Sequence, residues 1–185
     1  STFATVGGDI TLDNGTTFGG LFSVNTARNI SVLATGGMVL DDVTTTGTAN
    51  MTAAGSVAQK SGTQLTLGGA ASITAGANDL ITLTQSNNSF GDTLTLNAKG
   101  ADVLATGALS IVGALGLDGL NVNGDDAITL GLLSTDANLT ITTSGYIDQV
   151  DAIDVAGTLI LAAGLAGDIT LNNAGNEIGA FVTVV

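Results

Sequence analysis

The sequence contains no cysteine, histidine, proline or tryptophan, and only six of its 185 residues are aromatic. Without cysteine there can be no disulfide, so packing and hydrogen bonds alone must hold the fold. Without histidine and cysteine, the commonest general base, the thiol nucleophile and the usual zinc ligands are excluded. These absences argue against most classes of enzyme, and we predict no catalytic residues.

The absence of proline is also informative about structure. Proline cannot donate a hydrogen bond to a β ladder and is confined to edges and bulges. A chain without it is therefore typical of continuous ladders with few edges. With so few rings, the core must consist of small aliphatic side chains, which favours a narrow and elongated interior.

Positive charge is scarce. Arg28, Lys60 and Lys99 stand against 16 acidic residues, which gives a net charge of −13. Nucleic-acid binding requires a basic surface, and an anionic membrane would repel this chain. The apolar run at residues 103–117 is shorter than the roughly 20 residues of a spanning helix. We therefore expect neither nucleic acid as a partner nor membrane insertion.

Short segments throughout the chain alternate apolar and polar residues with period two, the pattern of half-buried strands. Glycine, asparagine, aspartate and serine, the residues of tight turns, separate them. No segment shows a helical period. The alternating segments are residues 9–12, 29–32, 64–67, 93–96, 138–141 and 168–171.

One segment containing Ile-Thr-Leu occurs three times, at residues 9–25, 80–97 and 168–184. The spacing is unequal, because the interval from Phe90 to Ile178 is longer than the interval from Phe18 to Phe90. A solenoid accepts the insertion of a whole coil, since each coil contacts only its neighbours. We interpret the intervals as four and five coils of about 18 residues each, with the additional coil near residues 107–123.

The predicted fold is an all-β, parallel β-helix (β-solenoid) of roughly ten coils, with residues 1–185 as a single segment. The phrases ANDLITLTQSNNSFGDTLTL, GNEIGAFVTV and SGYIDQVDAIDVAGTLILAAG resemble the repeats of filamentous-haemagglutinin-like exoproteins. These are bacterial adhesins of two-partner secretion systems, to which autotransporter passengers are related. The resemblance implies a right-handed parallel β-helix that acts as a rigid shaft at the bacterial cell surface and carries binding regions.

Both termini read as strands without a polar cap, and bare strand edges are templates for pairing. We expect the chain to be an excerpt of a longer repeat protein or a subunit that stacks end to end into an extracellular filament. The expected partners are flanking repeats, identical chains, or the surface of a host or neighbouring cell. The expected location is extracellular.

The sequence gives weaker support for an enzymatic or a metal-binding function. Asp125-Asp126 invites comparison with polysaccharide-active β-helix enzymes, but no cation lies near it in the sequence. Calcium is an alternative ligand for that pair and for Asp41-Asp42, although Gly7-Gly8-Asp9 is only a fragment of the repeat-in-toxin signature. No cofactor and no specific metal site are predicted.

Three further patterns are given structural explanations. Thr-x-Thr pairs, as in ice-binding solenoids, occur at 93–95 and 140–142 but do not recur in register along the sequence. Asparagines in glycosylation sequons are frequent enough for chance, and others are expected to form amide ladders at turns. Glycines after each repeated aromatic or isoleucine are expected to have positive φ. The sequon asparagines are Asn14, Asn29, Asn50, Asn87 and Asn138. The asparagines expected to form amide ladders are Asn87, Asn88 and Asn176, and the glycines expected to have positive φ are Gly19, Gly91 and Gly179.

Overall fold

The computed structural model describes residues 1–165 and 167–183, and within those residues the chain has no helix. Short parallel strands stack into a solenoid of about nine turns, which confirms the predicted fold class. The strands are β1 (Thr2–Ala4), β2 (Ile10–Thr16), β3 (Leu21–Ala27), β4 (Ile30–Ala34), β5 (Met38–Thr45), β6 (Ala49–Ala53), β7 (Val57–Gln59), β8 (Leu65–Leu67), β9 (Ala71–Thr74), β10 (Leu80–Leu83), β11 (Ser89–Phe90), β12 (Leu94–Ala105), β13 (Leu109–Gly124), β14 (Ile128–Thr135), β15 (Leu139–Thr143), β16 (Ile147–Gln149), β17 (Ile153–Ala162) and β18 (Glu177–Thr183).

Each turn of the chain passes along three faces, which we call A, B and C in chain order. Every face is a column of residues paired in register between successive turns. Face A contains Met38, Val57, Ile81, Ala101, Leu120, Leu139 and Leu159. Face B contains Phe3, Val24, Val43 and Leu65, then Leu109, Ile128, Ile147 and Ile169. Face C contains Ile10, Ile30, Ala49, Ala71 and Leu94, then Gly113, Leu133 and Ile153.

The core is a narrow apolar column between the three faces. Because alternate side chains of a strand point to opposite sides, every second residue of a strand is buried in the column. Ile30, Met51, Ile73 and Leu94, for example, are all fully buried or nearly so. The few rings are concentrated at the amino-terminal end, where Phe22 packs against both Phe3 and Phe18 with ring centroids 5.6 and 5.2 Å away. The expectation of a slender core of small aliphatic side chains is confirmed.

The length of a turn varies more than the sequence predicted. The shortest turn between paired residues runs from Leu94 to Ile111, and the longest runs from Val57 to Ile81. The prediction of roughly ten coils of about 18 residues is therefore close in number, since the structure has about nine turns, but most of the turns are longer than predicted. The corners between faces carry loops of different lengths, which strand periodicity does not reveal. The right-handed sense, which the resemblance implies, stays a prediction.

The three copies of the Ile-Thr-Leu segment lie on three different faces. Ile10 belongs to face C, Ile81 to face A and Ile169 to face B. The interpretation of their spacing as four and five whole coils is therefore wrong. Each interval consists of whole turns plus one further face, so successive copies are rotated by a third of a turn.

The glycines that follow the repeated segment do not have positive φ. The described glycines with positive φ are Gly7, Gly15, Gly62, Gly107, Gly113 and Gly119. Gly91 instead lies where the stacked turns approach closely, since a Cβ there would be 2.6 Å from the carbonyl oxygen of Gly68. Gly179 is similarly close to the carbonyl oxygen of Ala156, whereas Gly19 faces open space. The prediction of left-handed corners is wrong, and close approach explains two of the three glycines.

This difference gives a matched pair of substitutions at equivalent positions of two repeats. We expect Gly91→Ala to lower the free energy of unfolding by about 1–3 kcal/mol, because the added methyl must displace backbone of the turn below. Gly19→Ala meets no atom within 4 Å, and we expect a change within about 0.5 kcal/mol. Urea titration followed by circular dichroism measures both, and equal losses would contradict the close-approach explanation.

Candidate functional site

Three of the four paired aspartates singled out in the sequence accept hydrogen bonds from backbone N–H groups, and the fourth, Asp41, accepts from Lys60 Nζ. Asp125 Oδ1 accepts from the Gly107 N–H at 2.7 Å, and Asp126 Oδ1 accepts from the Ala127 N–H at 2.7 Å. In the other pair, Asp42 Oδ1 accepts from the Gln64 N–H at 2.8 Å. Among the residues that the structure describes, no group of three or more acidic side chains could hold a metal ion.

All three cationic side chains form ion pairs with an aspartate one turn away. The nitrogen–oxygen distances are 2.9 Å for Arg28–Asp9, 3.1 Å for Lys60–Asp41 and 2.9 Å for Lys99–Asp118. These pairs are exposed, so each contributes little stability. Residues 100–185 hold ten acidic residues and no arginine or lysine, which concentrates negative charge in the carboxyl-terminal turns.

Hydrogen bonds from Arg28 lower the pKa of the Asp9 carboxyl below its ordinary value of 3.8, and those from Asn29 add to the effect. We expect Arg28→Ala to raise the pKa of Asp9 toward 3.8. Because the folded-state pKa is the lowered one, the interaction contributes stability above the ordinary pKa and loses it as the pH falls through the lowered pKa. Carboxyl-carbon NMR titration checks this. Lys60→Ala, which removes a cation that pairs with Asp41 instead, is the control and should leave the pKa of Asp9 unchanged.

The most elaborate polar structure is a buried amide pair, which we call clamp 1. Gln59 Nε2 donates to Asn88 Oδ1 at 2.7 Å, and Asn88 Nδ2 donates to Gln59 Oε1 at 2.8 Å. Asn88 is fully buried and Gln59 is 9% exposed. The same asparagine accepts from the Leu65 N–H at 3.0 Å and donates to the Leu83 carbonyl oxygen at 3.3 Å. Clamp 1 thus ties together segments of successive turns.

A second pair, clamp 2, has the same connectivity. Gln149 Nε2 donates to Asn176 Oδ1, and Asn176 Nδ2 donates back to Gln149 Oε1 at 3.1 Å. Asn176 Oδ1 also accepts from the Ile153 N–H at 3.1 Å, as Asn88 does from Leu65. Clamp 2 lies one face further around the rod, because Val57 at the start of clamp 1 is on face A while Ile147 is on face B.

The clamps correct the prediction of amide ladders. Asn88 and Asn176 do not stack on asparagines of neighbouring turns; each pairs with a glutamine, and Asn87 is exposed. The sequence held a signal for the glutamines, since the segment Gly55–Gln59 is repeated as Gly145–Gln149. The sequence gives no signal for their asparagine partners, which lie 29 and 27 residues away. Such residues become neighbours only because of the lengths of the turns between them.

Two of the sequon asparagines have structural contacts. Asn29 Oδ1 accepts from the Thr48 N–H at 2.8 Å, and Asn138 Oδ1 accepts from the Thr158 N–H at 2.9 Å. Each therefore links one turn to the next at the start of a strand. Asn14, Asn50 and Asn87 are exposed.

Face C of the first five turns presents a regular outward surface, which we call the uncharged polar strip. Sequence spacing concealed its register, because successive steps along the strip differ in length. The Thr-x-Thr motif does not recur in register on this face, but pairs of other polar residues do. One turn below Thr52 and in register with it is Leu33, an exposed apolar residue that is not part of the strip. The strip consists of two columns in register: Thr11, Ser31, Asn50, Ser72 and Thr95 in the first, and Thr52, Thr74 and Asn97 in the second.

Fold and contacts together define a parallel β-solenoid with an internal repeat of more than three turns. The chain belongs to the family described as repeats of unknown function (DUF5649), whose model matches residues 27–97 and 118–185. No curated protein and no solved structure matches the chain. No helix of the described residues is long and apolar enough to cross a membrane.

The two matched segments agree with the geometry. Each contains one clamp, clamp 1 in residues 27–97 and clamp 2 in residues 118–185. The stretch between the segments, residues 98–117, is about as long as one turn. The family repeat is therefore a unit of more than three turns with its own clamp, and an additional turn separates the two units.

Proposed function

We propose that this chain is a length of rigid shaft in a secreted bacterial surface adhesin or extracellular fibre. The observation that carries the proposal is the uninterrupted parallel sheet of 18 strands around an apolar core. At about 4.8 Å per turn, nine turns extend roughly 40–45 Å. The resemblance of the repeats to those of filamentous-haemagglutinin-like exoproteins supports the cell-surface setting.

The polar groups inside the rod support a mechanical function. Within the described residues, no buried side-chain nitrogen or oxygen lacks a hydrogen-bond partner. Clamps 1 and 2 cross-link turns at two levels. The backbone of an inner turn is paired with the turns on both sides, as β10 is with β7 and β12. A rod of this construction resists bending, because bending would break hydrogen bonds that no water can replace in the core.

The rod also lacks, in its described part, the convergent acids and cations of a polysaccharide-active site. Asp125 and Asp126 both accept hydrogen bonds from backbone N–H groups. Each of the three cations is paired elsewhere. These contacts favour the structural proposal over the enzymatic alternative.

The test uses an antibody raised against the folded chain and intact cells of the source organism. Immunogold labelling should place the epitope outside the envelope and at a constant distance from it. In-frame removal of one repeat unit should shorten that distance by about 15 Å, since each turn contributes about 4.8 Å. Labelling only after lysis, or an unchanged distance, would contradict a projecting shaft.

End-to-end stacking of identical chains is the alternative form of this proposal. The net charge of −13 opposes contact between copies, and salt screens that repulsion. Sedimentation velocity of the isolated chain distinguishes the two. A monomer at all salt concentrations favours the shaft segment, and salt-induced growth of filaments favours the stacking subunit.

A further inference from the structure

The uncharged polar strip has hydrogen-bonding capacity that the fold does not use. Within the described part of the chain, none of its eight side chains forms a hydrogen bond with another protein group. Thr11 and Asn50 are exposed and the other six are half-buried. By contrast, comparable polar side chains at corners, such as Asn29 and Thr63, are bonded to the backbone. The strip therefore presents hydroxyl and amide groups to the surroundings.

The strip is also unusual in its charge. It contains no acidic or basic residue in a chain with 16 acids. At the first turn it is bordered by Asp13 and by the Asp9–Arg28 ion pair, whose charges cancel. Higher on the same face, Asp154 and Glu177 stand in register on adjacent strands. The strip is thus a neutral surface on an otherwise strongly acidic rod. Its first column extends over four inter-turn steps, or roughly 19 Å.

The second repeat unit presents a related surface a third of a turn away. On face A, Asn121 is in register with Thr140, and Asn123 with Thr142, again as two outward columns. Beside the first pair lies an open cavity of about 400 Å³. Two acids, Asp102 and Asp118, line this cavity, and Asp102 accepts from Asn121 Nδ2 at 3.2 Å.

The chemistry of the strip limits what can bind it. The backbone of its inner strands is already paired on both sides, so an added peptide strand has no free edge to join. A polyanion would be repelled by the net charge, and a second copy of the chain would be repelled equally. A neutral polyhydroxylated polymer has donors and acceptors that match hydroxyl and amide groups, and it is not affected by the charge.

We propose that the uncharged polar strip binds a neutral polysaccharide lying along the rod. With no aromatic residue in the strip, each sugar contact is weak, and affinity comes from repetition along five turns. The related surface on face A provides a second point of attachment, and two linked sites bind more tightly than either alone. The proposal does not depend on where the protein is located, so it stands or falls separately from the shaft function.

The experiment measures co-sedimentation of the folded chain with insoluble cellulose and with chitin. Ser72→Glu places a charge in the middle of the strip. Thr66→Glu is the matched control, because Thr66 is a half-buried hydroxyl on face B, in register with Thr44 and Ser89. We expect Ser72→Glu to weaken binding at least about tenfold and Thr66→Glu to leave it unchanged. Asn50→Glu, at an exposed position of the same column, replaces Ser72→Glu if that variant has a lowered urea midpoint.

Binding should persist in high salt, since no ions are released from a neutral ligand. Several results would overturn the proposal: no binding to either polymer, equal binding by the strip and control variants, or loss of binding in salt. Two further outcomes would assign the strip to a different partner and likewise overturn it. These are dimerisation that Ser72→Glu abolishes, and arrest of ice growth that Ser72→Glu abolishes.

Discussion

Asn88→Ala is expected to lower the free energy of unfolding by about 3 kcal/mol, because each buried group left without its partner costs about 1–3 kcal/mol. The substitution leaves the N–H of Leu65 buried and without an acceptor. It also removes both reciprocal bonds of the Gln59 amide, which keeps only its contacts with the Thr63 carbonyl oxygen and the Gln85 N–H. Urea titration measures the loss of stability. Hydrogen exchange of the Leu65 amide proton, which we expect to be slow in the native protein, should become fast in the variant.

The adjacent residue is the control for this experiment. Asn87 is exposed, and Asn87→Ala should change stability by no more than about 0.5 kcal/mol. A double-mutant cycle of Gln59→Ala with Asn88→Ala should show a coupling energy of at least about 1 kcal/mol. Additive effects of the two substitutions would show that the reciprocal bonds of clamp 1 do not stabilise the fold as a unit.

Removal of residues 100–118 is expected to leave a folded rod with one turn fewer. Gly119 lies in register with Gly100. The deletion therefore joins Lys99 to Gly119, which then takes the position that Gly100 has in the native rod. After the deletion, the number of residues from Leu94 to Leu130 equals the native number from Leu94 to Ile111. That native interval is the shortest turn of the rod. Because each turn contacts only its neighbours, we expect cooperative unfolding with a reduced midpoint, measured by circular dichroism in urea.

A shorter deletion in the same region is expected to do more damage. Removal of residues 109–114 deletes the buried Leu109 and Ile111. The segment left between Leu94 and Leu130 is too long for one turn, since it exceeds the longest native turn, and too short for two turns of the shortest native length. We expect a loss of at least about 4 kcal/mol, since each buried aliphatic side chain contributes about 2–5 kcal/mol. If the six-residue deletion were the milder of the two, the integral-turn argument would be wrong.

The fold class could be predicted from the sequence because each strand carries its own signal. Segments such as Ile10-Thr11-Leu12 and Leu139-Thr140-Ile141 alternate with period two, and this local pattern fixes which side chains are buried. The absence of proline and the many glycines indicated stacked turns with few edges. These signals act over a few residues, so a single sequence is enough to read them.

The functional surfaces could not be predicted in the same way. Clamp 1 joins Gln59 to Asn88 across 29 residues, and clamp 2 joins Gln149 to Asn176 across 27. The steps along the uncharged polar strip are unequal, and they lengthen toward its upper end at Thr95. Irregular corner lengths set these steps, and no periodicity in the sequence records them.

The repeated Ile-Thr-Leu segment shows the division most directly. The sequence by itself determined that Ile10, Ile81 and Ile169 belong to equivalent extended segments with an inward apolar row. The tertiary structure alone decided that these segments lie on faces C, A and B. The three faces accept the same alternating pattern, so burial is satisfied equally on each. Which face a strand occupies is set by the summed length of all the turns before it.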